Sequence, residues 1–377
     1  MDFRLSEEEK LIQETARQFV HREMLTRERE YLRQVELFLP PGDPPRRALD
    51  PQIHGTLATI ARRIGLWAPE VASPGTGDAM SHVARVLIYR EFGRTILPFE
   101  PATMPALLAD TSFAKEIIDG KHSVALAFDE VHGTGTLAGI ATRYHEVAEG
   151  FALRDTSMNL LNPECDLLLL PAREEGSEKV GLFLVPRESP GVIIDAVEDL
   201  NTDARVACLQ LHRCELSRDR FIGGAMEIEI IIASEQLRIA ARCLGIAMRC
   251  AADAIEHARN RVTFGRPLAQ RQAVQWMLAD LSTDISTCNW LTLEAAWRAD
   301  NNMPYFHAAA LAKKRAAKTA FQAADTAIQI HGGYGVCKEF PFEGFYRESR
   351  MMRLLYGREA EMNKSVGGQF LKADGRR

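Results

Sequence analysis

Two stretches near the C-terminus decide the fold: Ala258-Arg-Asn-Arg-Val-Thr-Phe-Gly-Arg266 and Gln329-Ile-His-Gly-Gly-Tyr-Gly335. Both combine polar side chains with glycine, and this combination suits an anionic dinucleotide. A cation binds pyrophosphate, and a residue without Cβ lets backbone amides approach closely. Taken singly, Arg261 could form a solvated salt bridge and Gly332-Gly333 could end a helix. Together they indicate a nucleotide site, although not a Rossmann turn, because no strand precedes the glycines and the G-x-G-x-x-G spacing is absent.

Helical patterns surround both stretches. Apolar residues recur three and four apart from Leu237 to Ile255, and similar patterns run over about 268–299, 305–330 and 351–370. Few helix breakers interrupt them, so residues 223–377 are predicted to form a bundle of four long antiparallel helices. The basic run Lys313-Lys-Arg315 is predicted to lie on a solvated face of this bundle.

The sequence pattern changes upstream, over residues 119–222. Short apolar runs are separated there by Gly, Pro, Asn and charged clusters, for example Ser123-Val-Ala-Leu-Ala-Phe128 and Val180-Gly-Leu-Phe-Leu-Val185. This pattern is typical of a small β unit with many turns. No helix of 10 to 15 residues alternates with the runs, so a β-barrel or sandwich is expected rather than a parallel βαβ sheet.

Residues 1–118 are predicted to be mainly helical. Ser6 and Glu9 have the spacing of a capping box that opens a helix to about Met24. The proline-rich stretch 39–46 cannot continue a helix, and Asp50-Pro51 supplies an N-cap and first turn for the next one. The predicted fold is therefore a multidomain α+β protein: an N-terminal helical domain, a middle β-barrel domain and a C-terminal four-helix bundle.

Composition excludes several function classes. Among 377 residues the formal net charge is −5 and the basic residues are dispersed, which argues against nucleic acid as a partner. The acidic N-terminus has no secretory pattern and no apolar run is long enough for a membrane span, so a cytoplasmic protein is expected. The seven cysteines form no C-x-x-C pair and His331 has no second ligand at metal spacing, so no metal site is predicted.

The order of helical, β and helical segments, together with these motifs, resembles the acyl-CoA dehydrogenase family. Three further matches, Gln272, Met277-Leu-Ala-Asp280 and Tyr346-Arg-Glu-Ser-Arg350, extend the resemblance across the whole C-terminal domain. It implies FAD as cofactor, an acyl-CoA substrate, an electron-transferring flavoprotein as electron acceptor, and a homodimer or homotetramer. It also implies FAD-binding residues, in two groups: Arg261, Phe264 and Gln272 on the FAD of one subunit, and Gln329 and Gly333, with Gly332 in the same turn, at the FAD of a neighbour.

The family's reaction needs a glutamate that removes the α-proton of the thioester while the β-hydrogen passes as hydride to the flavin. At the usual position of this base the chain has Gly357, which cannot take a proton. Isovaleryl and long-chain types place the base ten residues before a glycine equivalent to Gly245, which is Glu235 here. The alternative for Glu235 is a surface ion pair with Arg238 at i+3. Glu359 and Glu361 are weaker candidates, because they are offset from the family position.

The flavin-contacting stretches of the middle domain depart from the family pattern. Asp129 and Leu161 stand where the family has threonine, and Asn159 stands where it has an aromatic residue. These departures leave two other functions open. The chain could be a non-catalytic partner subunit in a hetero-oligomer with an intact paralogue, or a flavin oxidase or hydroxylase on the same scaffold.

Overall fold

The computed structural model describes residues 4–36, 49–71, 79–99, 101, 108, 111–130, 137–154, 156–161, 165–197 and 206–374. In this part of the chain a helical domain is followed by a sheet domain and a second helical domain, as predicted. The proline-rich stretch 39–46 lies outside the described residues. No helix within the described ranges is both long and apolar enough to cross a membrane.

Side chains cap the N-terminal helices where the sequence predicts. Ser6 and Glu9 form the complete capping box of the first helix, Asp50 accepts from two backbone amides at the start of the third, and Ser81 caps the fourth. A π-helical turn, Val20–Met24, joins the first two helices. The helices are α1 Glu7–Phe19, α2 Leu25–Glu36, α3 Pro51–Arg63, α4 His82–Phe92 and α5 Ala114–Ile118.

The middle domain consists of two sheets that share one apolar core. One sheet follows the order β10-β4-β3-β6-β7-β11, with β1 paired to β6, and the other follows β2-β5-β9-β8. Met158 and Leu209 of the second sheet pack in one cluster with Leu168 and Phe183 of the first. The strands are β1 Val124–Leu126, β2 Asp129–Glu130, β3 Arg143–Val147, β4 Gly150–Arg154, β5 Thr156–Leu161, β6 Leu167–Glu174, β7 Val180–Pro186, β8 Val192–Val197, β9 Val206–Leu211, β10 Cys214–Ser217 and β11 Phe221–Gly223.

The predicted β-barrel is wrong. Within the described residues both strand orders have open ends, so the hydrogen-bond ladders do not close on themselves. The alternative prediction, a β-sandwich, describes the observed domain better, because the inner faces of two separate sheets bury the apolar residues between them. Pairing is mostly antiparallel, although β6 runs parallel to both β1 and β3.

The C-terminal domain contains the predicted long helices, packed through small side chains. They are α6 Ala225–Asn260, α7 Gln272–Asp300, α8 Phe306–His331, α9 Phe342–Met352 and α10 Glu359–Asp374, with a hairpin of β12 Val262–Thr263 and β13 Arg266–Pro267 after α6. A continuous helix over 351–370 was expected, and this is wrong: α9 and α10 are separate. Tyr356 and Gly357 between them have φ of 47° and 114°, which an α-helix does not accommodate.

Helices α4 and α6 cross at a contact between two glycines. A Cβ on Gly93 would overlap the carbonyl oxygen of Arg242, and a Cβ on Gly245 would overlap the carbonyl oxygen of Arg90. The crossing therefore requires glycine on both helices, because no side chain fits between the backbones. It fixes the position of α6 against α4, the two helices that supply most of the buried polar groups described below.

Candidate active site

The first motif forms a tight hairpin directly after α6. The amide of Arg261 donates to the carbonyl oxygen of His257 at 2.8 Å and ends the helix. Phe264 and Gly265 then turn the chain with φ of 49° and 77°, the signs of a two-residue type I′ turn. The ring of Phe264 is 98% exposed, and the guanidinium of Arg271 lies 5.7 Å from its centroid. A large aromatic side chain is thus held out from the protein surface.

The second motif ends α8 beside this hairpin. Gly332 has φ of +63°, a left-handed conformation that glycine adopts without strain. Arg261, Gly332 and Gly333 line one cavity of about 460 Å³. The structure therefore brings the predicted cation and the predicted glycine pair together. Phe264, Gln272 and Gln329 are exposed and do not line this cavity.

This cluster fits the pyrophosphate of a dinucleotide. A Cβ on Gly332 or Gly333 would meet no atom within 4 Å, so the space above the turn is open to a ligand. Arg261 is exposed and borders that space, and it supplies the planar donor group that phosphate oxygens accept from. Among the described residues no group of three or more His, Cys, Asp and Glu side chains is placed to hold a metal ion.

Glu235 lies in the interior of α6 and is 5% exposed. Arg238, one turn later, donates from Nη2 at 2.7 Å and from Nε at 2.9 Å, and both bonds reach the same carboxylate oxygen, Oε2. The predicted i+3 ion pair therefore exists, but it is buried rather than on the surface. A buried pair of this kind is sensitive to loss of either charge, because the remaining group cannot be solvated.

A second buried carboxyl group, missed in the sequence, lies in this cluster. Glu70 is 8% exposed, and the hydroxyl of Tyr89 donates to its Oε1 at 3.3 Å. Burial raises the pKa of Glu70 to about 7; Arg85 and Arg238 oppose the rise, and the negative charge of Glu235 adds to it. Glu70 stands in Trp67-Ala-Pro-Glu70, a turn without periodicity, so no sequence signal distinguishes it from an exposed acid.

The turn between α9 and α10 holds Gly357, which the resemblance predicts to be at the family's usual base position. The side-chain amide of Gln236, the neighbour of Glu235, donates to the carbonyl oxygen of Tyr356 at 2.8 Å. Lys313 donates to the carbonyl oxygen of Gly357, also at 2.8 Å. Residues 235 and 357, the two base positions predicted from the resemblance, thus lie on adjoining segments.

The prediction of a solvated face is wrong for Lys313, which is 1% exposed. The break between α9 and α10 leaves backbone carbonyls without helical partners, and the Lys313 ammonium supplies donors for them. Glu359 begins α10 in an ion pair with Arg353 and is partly exposed. Glu361, also in the first turn of α10, is half-buried.

The departures in the middle domain fall on neighbouring strands. Asp129 of β2 is directly opposite Asn159 of β5, and Leu161 lies two residues further along β5, opposite Val206 of β9. All three therefore belong to the four-stranded sheet.

Comparisons with known proteins identify the class. Residues 223–369 match the family model "Acyl-CoA dehydrogenase, C-terminal domain". The caffeyl-CoA reductase-Etf complex subunit CarC of Acetobacterium woodii is 26% identical, over 97% of this chain and 99% of that protein. The short-chain specific acyl-CoA dehydrogenase of Rattus norvegicus is 30% identical, over 64% of this chain and 61% of that protein.

A solved structure agrees on the fold. Butyryl-CoA dehydrogenase from Megasphaera elsdenii superposes with a TM-score of 0.84 at 20% identity, covering 98% of this chain and 100% of that one. Residues 223–369 thus match the C-terminal domain of the acyl-CoA dehydrogenases, and over nearly its whole length the chain is similar to CarC in sequence and to butyryl-CoA dehydrogenase in fold. Members of the acyl-CoA dehydrogenase family are FAD-dependent.

Proposed function

We propose that this chain is an FAD-dependent oxidoreductase that introduces an α,β double bond into an acyl-CoA thioester, with Glu235 as the base. One observation carries the proposal. Glu235 is a buried carboxylate next to Gln236, which holds the turn containing Gly357. Of the family's two base positions, one has lost its carboxylate here and the adjoining one has a carboxylate in a dry site.

The surroundings of Glu235 suit proton abstraction. The carboxylate is only 5% exposed, so little water competes with a bound substrate for contact with it. Arg238 binds Oε2 through both donors, so it fixes the orientation of the carboxylate through one oxygen. FAD, when bound, supplies the acceptor for the hydride that leaves the β-carbon.

The exposed cluster supports FAD as the cofactor. Because Arg261, Gly332 and Gly333 line one cavity, all three would contact the pyrophosphate of a single FAD rather than the FADs of two subunits. Phe264, Gln272 and Gln329 would complete the site in the assembled protein. A second chain is supported by exposed aromatic side chains, since large exposed apolar groups mark contact surfaces. These are Phe264 on the hairpin and Trp276, Trp290 and Trp297 on α7.

An electron-transferring flavoprotein is the proposed redox partner. The name of the Acetobacterium woodii relative describes a subunit of a reductase-Etf complex, so a chain of similar length and sequence works in such an assembly. Because a reductase and a dehydrogenase transfer the same hydrogens in opposite directions, the partner's potential would decide the direction of net reaction in the cell.

Spectroscopy of the purified protein tests this function. A yellow protein with flavin absorbance, bleached anaerobically by one of a panel of saturated acyl-CoAs, is the expected result. Glu235→Gln should retain flavin and lose the bleaching, whereas Glu256→Gln, which removes an exposed glutamate of the same helix, should behave like the wild type. A colourless protein that takes up no added FAD would contradict the proposal.

The second candidate function is a non-catalytic subunit paired with an intact paralogue. It is favoured by one observation, the grouping of Asp129, Asn159 and Leu161 on adjacent strands of a single sheet. This candidate predicts that the chain alone binds no FAD and that co-expression with a paralogue yields a coloured complex. Flavin binding by the chain alone would argue against it.

A further inference from the structure

We propose that His257 is a further FAD-binding residue, whose imidazole takes up a proton from water when FAD binds and provides a second positive charge, beside Arg261, for the pyrophosphate. This inference rests on the proposed function, because it needs FAD in the cavity lined by Arg261, Gly332 and Gly333. His257 is assigned no part in the transfer of hydrogen from the substrate.

His257 lies in the last turn of α6, four residues before Arg261, and it lines the same cavity. The carbonyl oxygen of His257 accepts the amide hydrogen of Arg261 at 2.8 Å, so the backbone holds the two residues one turn apart at the end of the helix. The side chain of His257 is half-buried. An imidazole and a guanidinium therefore border the space that the pyrophosphate would enter.

The buried ring of His331 holds the imidazole of His257 at the cavity wall. The two ring centroids are 4.2 Å apart, and the ring planes are 31° from parallel. His331 is 6% exposed, and its Nδ1 donates to the carbonyl oxygen of Ala327 at 2.8 Å. The rings of Phe340 and Phe342 pack against it, with centroids at 5.4 and 4.5 Å. These contacts fix the orientation of His331 and, through it, of the ring stacked on it.

The permanent charge in the cavity is too small for a pyrophosphate. A pyrophosphate diester has two negative charges, whereas Arg261 is the one side chain with a permanent charge among the described residues that line the cavity. The lining side chains that can titrate are His257, His331, Tyr334 and Cys337. Of these, only the imidazoles can become cations, and His257 is the less buried of the two. Its protonation would balance the second charge of the ligand.

The opposite side of the histidine pair borders a second cavity, of about 650 Å³, in which charges of both signs are present. There Arg249 forms ion pairs with Glu28 and Asp253. The other charged side chains among the described lining residues are two cations and two anions: Arg29, Arg33, Glu256 and Glu339. The charges of this cavity nearly cancel, so the ligand in the first cavity has the larger influence on the protonation of His257.

The protonation of His257 should therefore depend on FAD. In the free protein burial lowers the pKa of His257, and His331 and Arg261 lower it further. An anion next to the imidazole favours the cationic form, so the pKa of His257 is higher in the complex than in the free protein. The contribution of such a group to affinity is complete below the pKa of the free protein and is lost as the pH rises through the pKa of the complex. FAD affinity should therefore decrease from about pH 5 to about pH 8.

Flavin fluorescence titration of the whole protein at several pH values measures this dependence. The wild type should lose about 10-fold in affinity over this range, the effect of one charge next to an anion. His257→Gln should bind FAD as the wild type does at the upper end of the range, and its affinity should not vary with pH. His331→Phe, which keeps a ring in the stack, and His212→Gln, which removes an exposed imidazole between β9 and β10, should retain the wild-type profile.

Isothermal titration calorimetry in buffers of different ionisation enthalpy counts the protons taken up. We expect uptake of up to one proton by the wild type and none by His257→Gln. An affinity of the wild type that does not vary with pH, or a pH dependence that His257→Gln retains, would overturn the inference. If FAD binds in either case, the proposed function stands without it.

ADP-ribose is a flavin-free probe of the same cavity, since it contains the same pyrophosphate diester and adenosine. NMR signals of the imidazole C–H groups follow the wild type directly, so this measurement does not depend on the folding of a variant. Saturating ADP-ribose should raise the pKa of His257 and leave the signal of His212 unchanged. If the protein takes up no FAD, the proposed function fails. A His257 titration that ADP-ribose does not shift overturns this inference whether or not FAD binds.

Discussion

The two halves of the candidate active site satisfy their polar groups in different ways. Arg261 and the Gly332-Gly333 turn lie at helix ends, exposed, and face a cavity that a ligand can enter. Glu235 and Glu70 lie among helices and are satisfied by Arg238 and Tyr89. Residues of the first kind act on a ligand almost independently. Residues of the second kind act on one another, so their substitutions should be coupled and sensitive to pH.

The buried half should give the largest single effect. Glu235→Gln is expected to slow flavin reduction by acyl-CoA about 10²- to 10⁴-fold, the usual contribution of a general base. Binding of FAD should be unaffected, because Glu235 is not part of the exposed cluster. Stopped-flow absorbance measures the rate, with Glu256→Gln as control. A reduction rate close to that of the wild type would remove Glu235 from the mechanism.

The pH dependence of stability tests the same difference between the buried and the exposed residues of the site. Burial raises the pKa of Glu70 from 4.5 to about 7, so between these values the folded chain binds more protons than the unfolded chain. Stability should therefore fall as the pH rises from 4.5 to 7, by about 3 kcal/mol at most from this group. Glu70→Gln should lack this fall, so the stability of the variant relative to that of the wild type should increase as the pH rises.

Denaturant unfolding of both proteins at several pH values measures this difference. A constant gap between wild type and Glu70→Gln across the range would contradict the assignment of a raised pKa to this carboxyl group.

Substitutions in the exposed half of the site should weaken FAD binding instead. Arg261→Ala is expected to weaken FAD binding about 10- to 100-fold, the loss of charge-assisted hydrogen bonds worth about 1.5–3 kcal/mol. Arg266→Ala removes the same charge from the same hairpin without opening the cavity, and it should have little effect. Flavin fluorescence titration separates the two. Equal losses in both variants would mean that only net charge matters at this surface.

A smaller effect is expected at the turn between α9 and α10. Gly357→Ala places a Cβ on a residue with φ of 114° and 3.3 Å from Met362, and it should destabilise the fold by about 1–3 kcal/mol. Gly55→Ala, at an exposed position of α3 where a Cβ would meet no atom within 4 Å, should stabilise the fold by about 0.5–1 kcal/mol. Thermal unfolding measures both. A destabilisation of the same size at Gly55 would show that the left-handed turn is not the cause.

Local signals in the sequence predicted the starts of the N-terminal helices well. Ser6 with Glu9, and Asp50 with Pro51, encode helix starts within four residues, and the structure has both. In these cases the residues that determine the conformation are close together in the chain. The resemblance assigns Arg261 to the FAD of one subunit and Gly333 to the FAD of a neighbour, whereas Arg261, Gly332 and Gly333 line one cavity of the same chain.

The missed features depend on distant parts of the chain. Glu70 is buried where Tyr89 of α4 donates to its carboxyl group, and Lys313 is buried where it donates to the carbonyl oxygen of Gly357, between α9 and α10. Neither event has a local pattern. The open sheets were mistaken for a barrel for a similar reason, since strand patterns indicate which residues are buried but not which edges pair.

The crossing at Gly93 and Gly245 determines where α6 holds Glu235. Because α6 rises about 1.5 Å per residue, the carboxylate ten positions before Gly245 is held about 15 Å from the crossing along one stiff helix. Any residue larger than glycine at either point would tilt or slide α6 and displace Glu235, although it would not touch that carboxylate. The position of the buried carboxylate thus depends on a distant contact, the crossing of α4 and α6, where no side chain separates the two backbones.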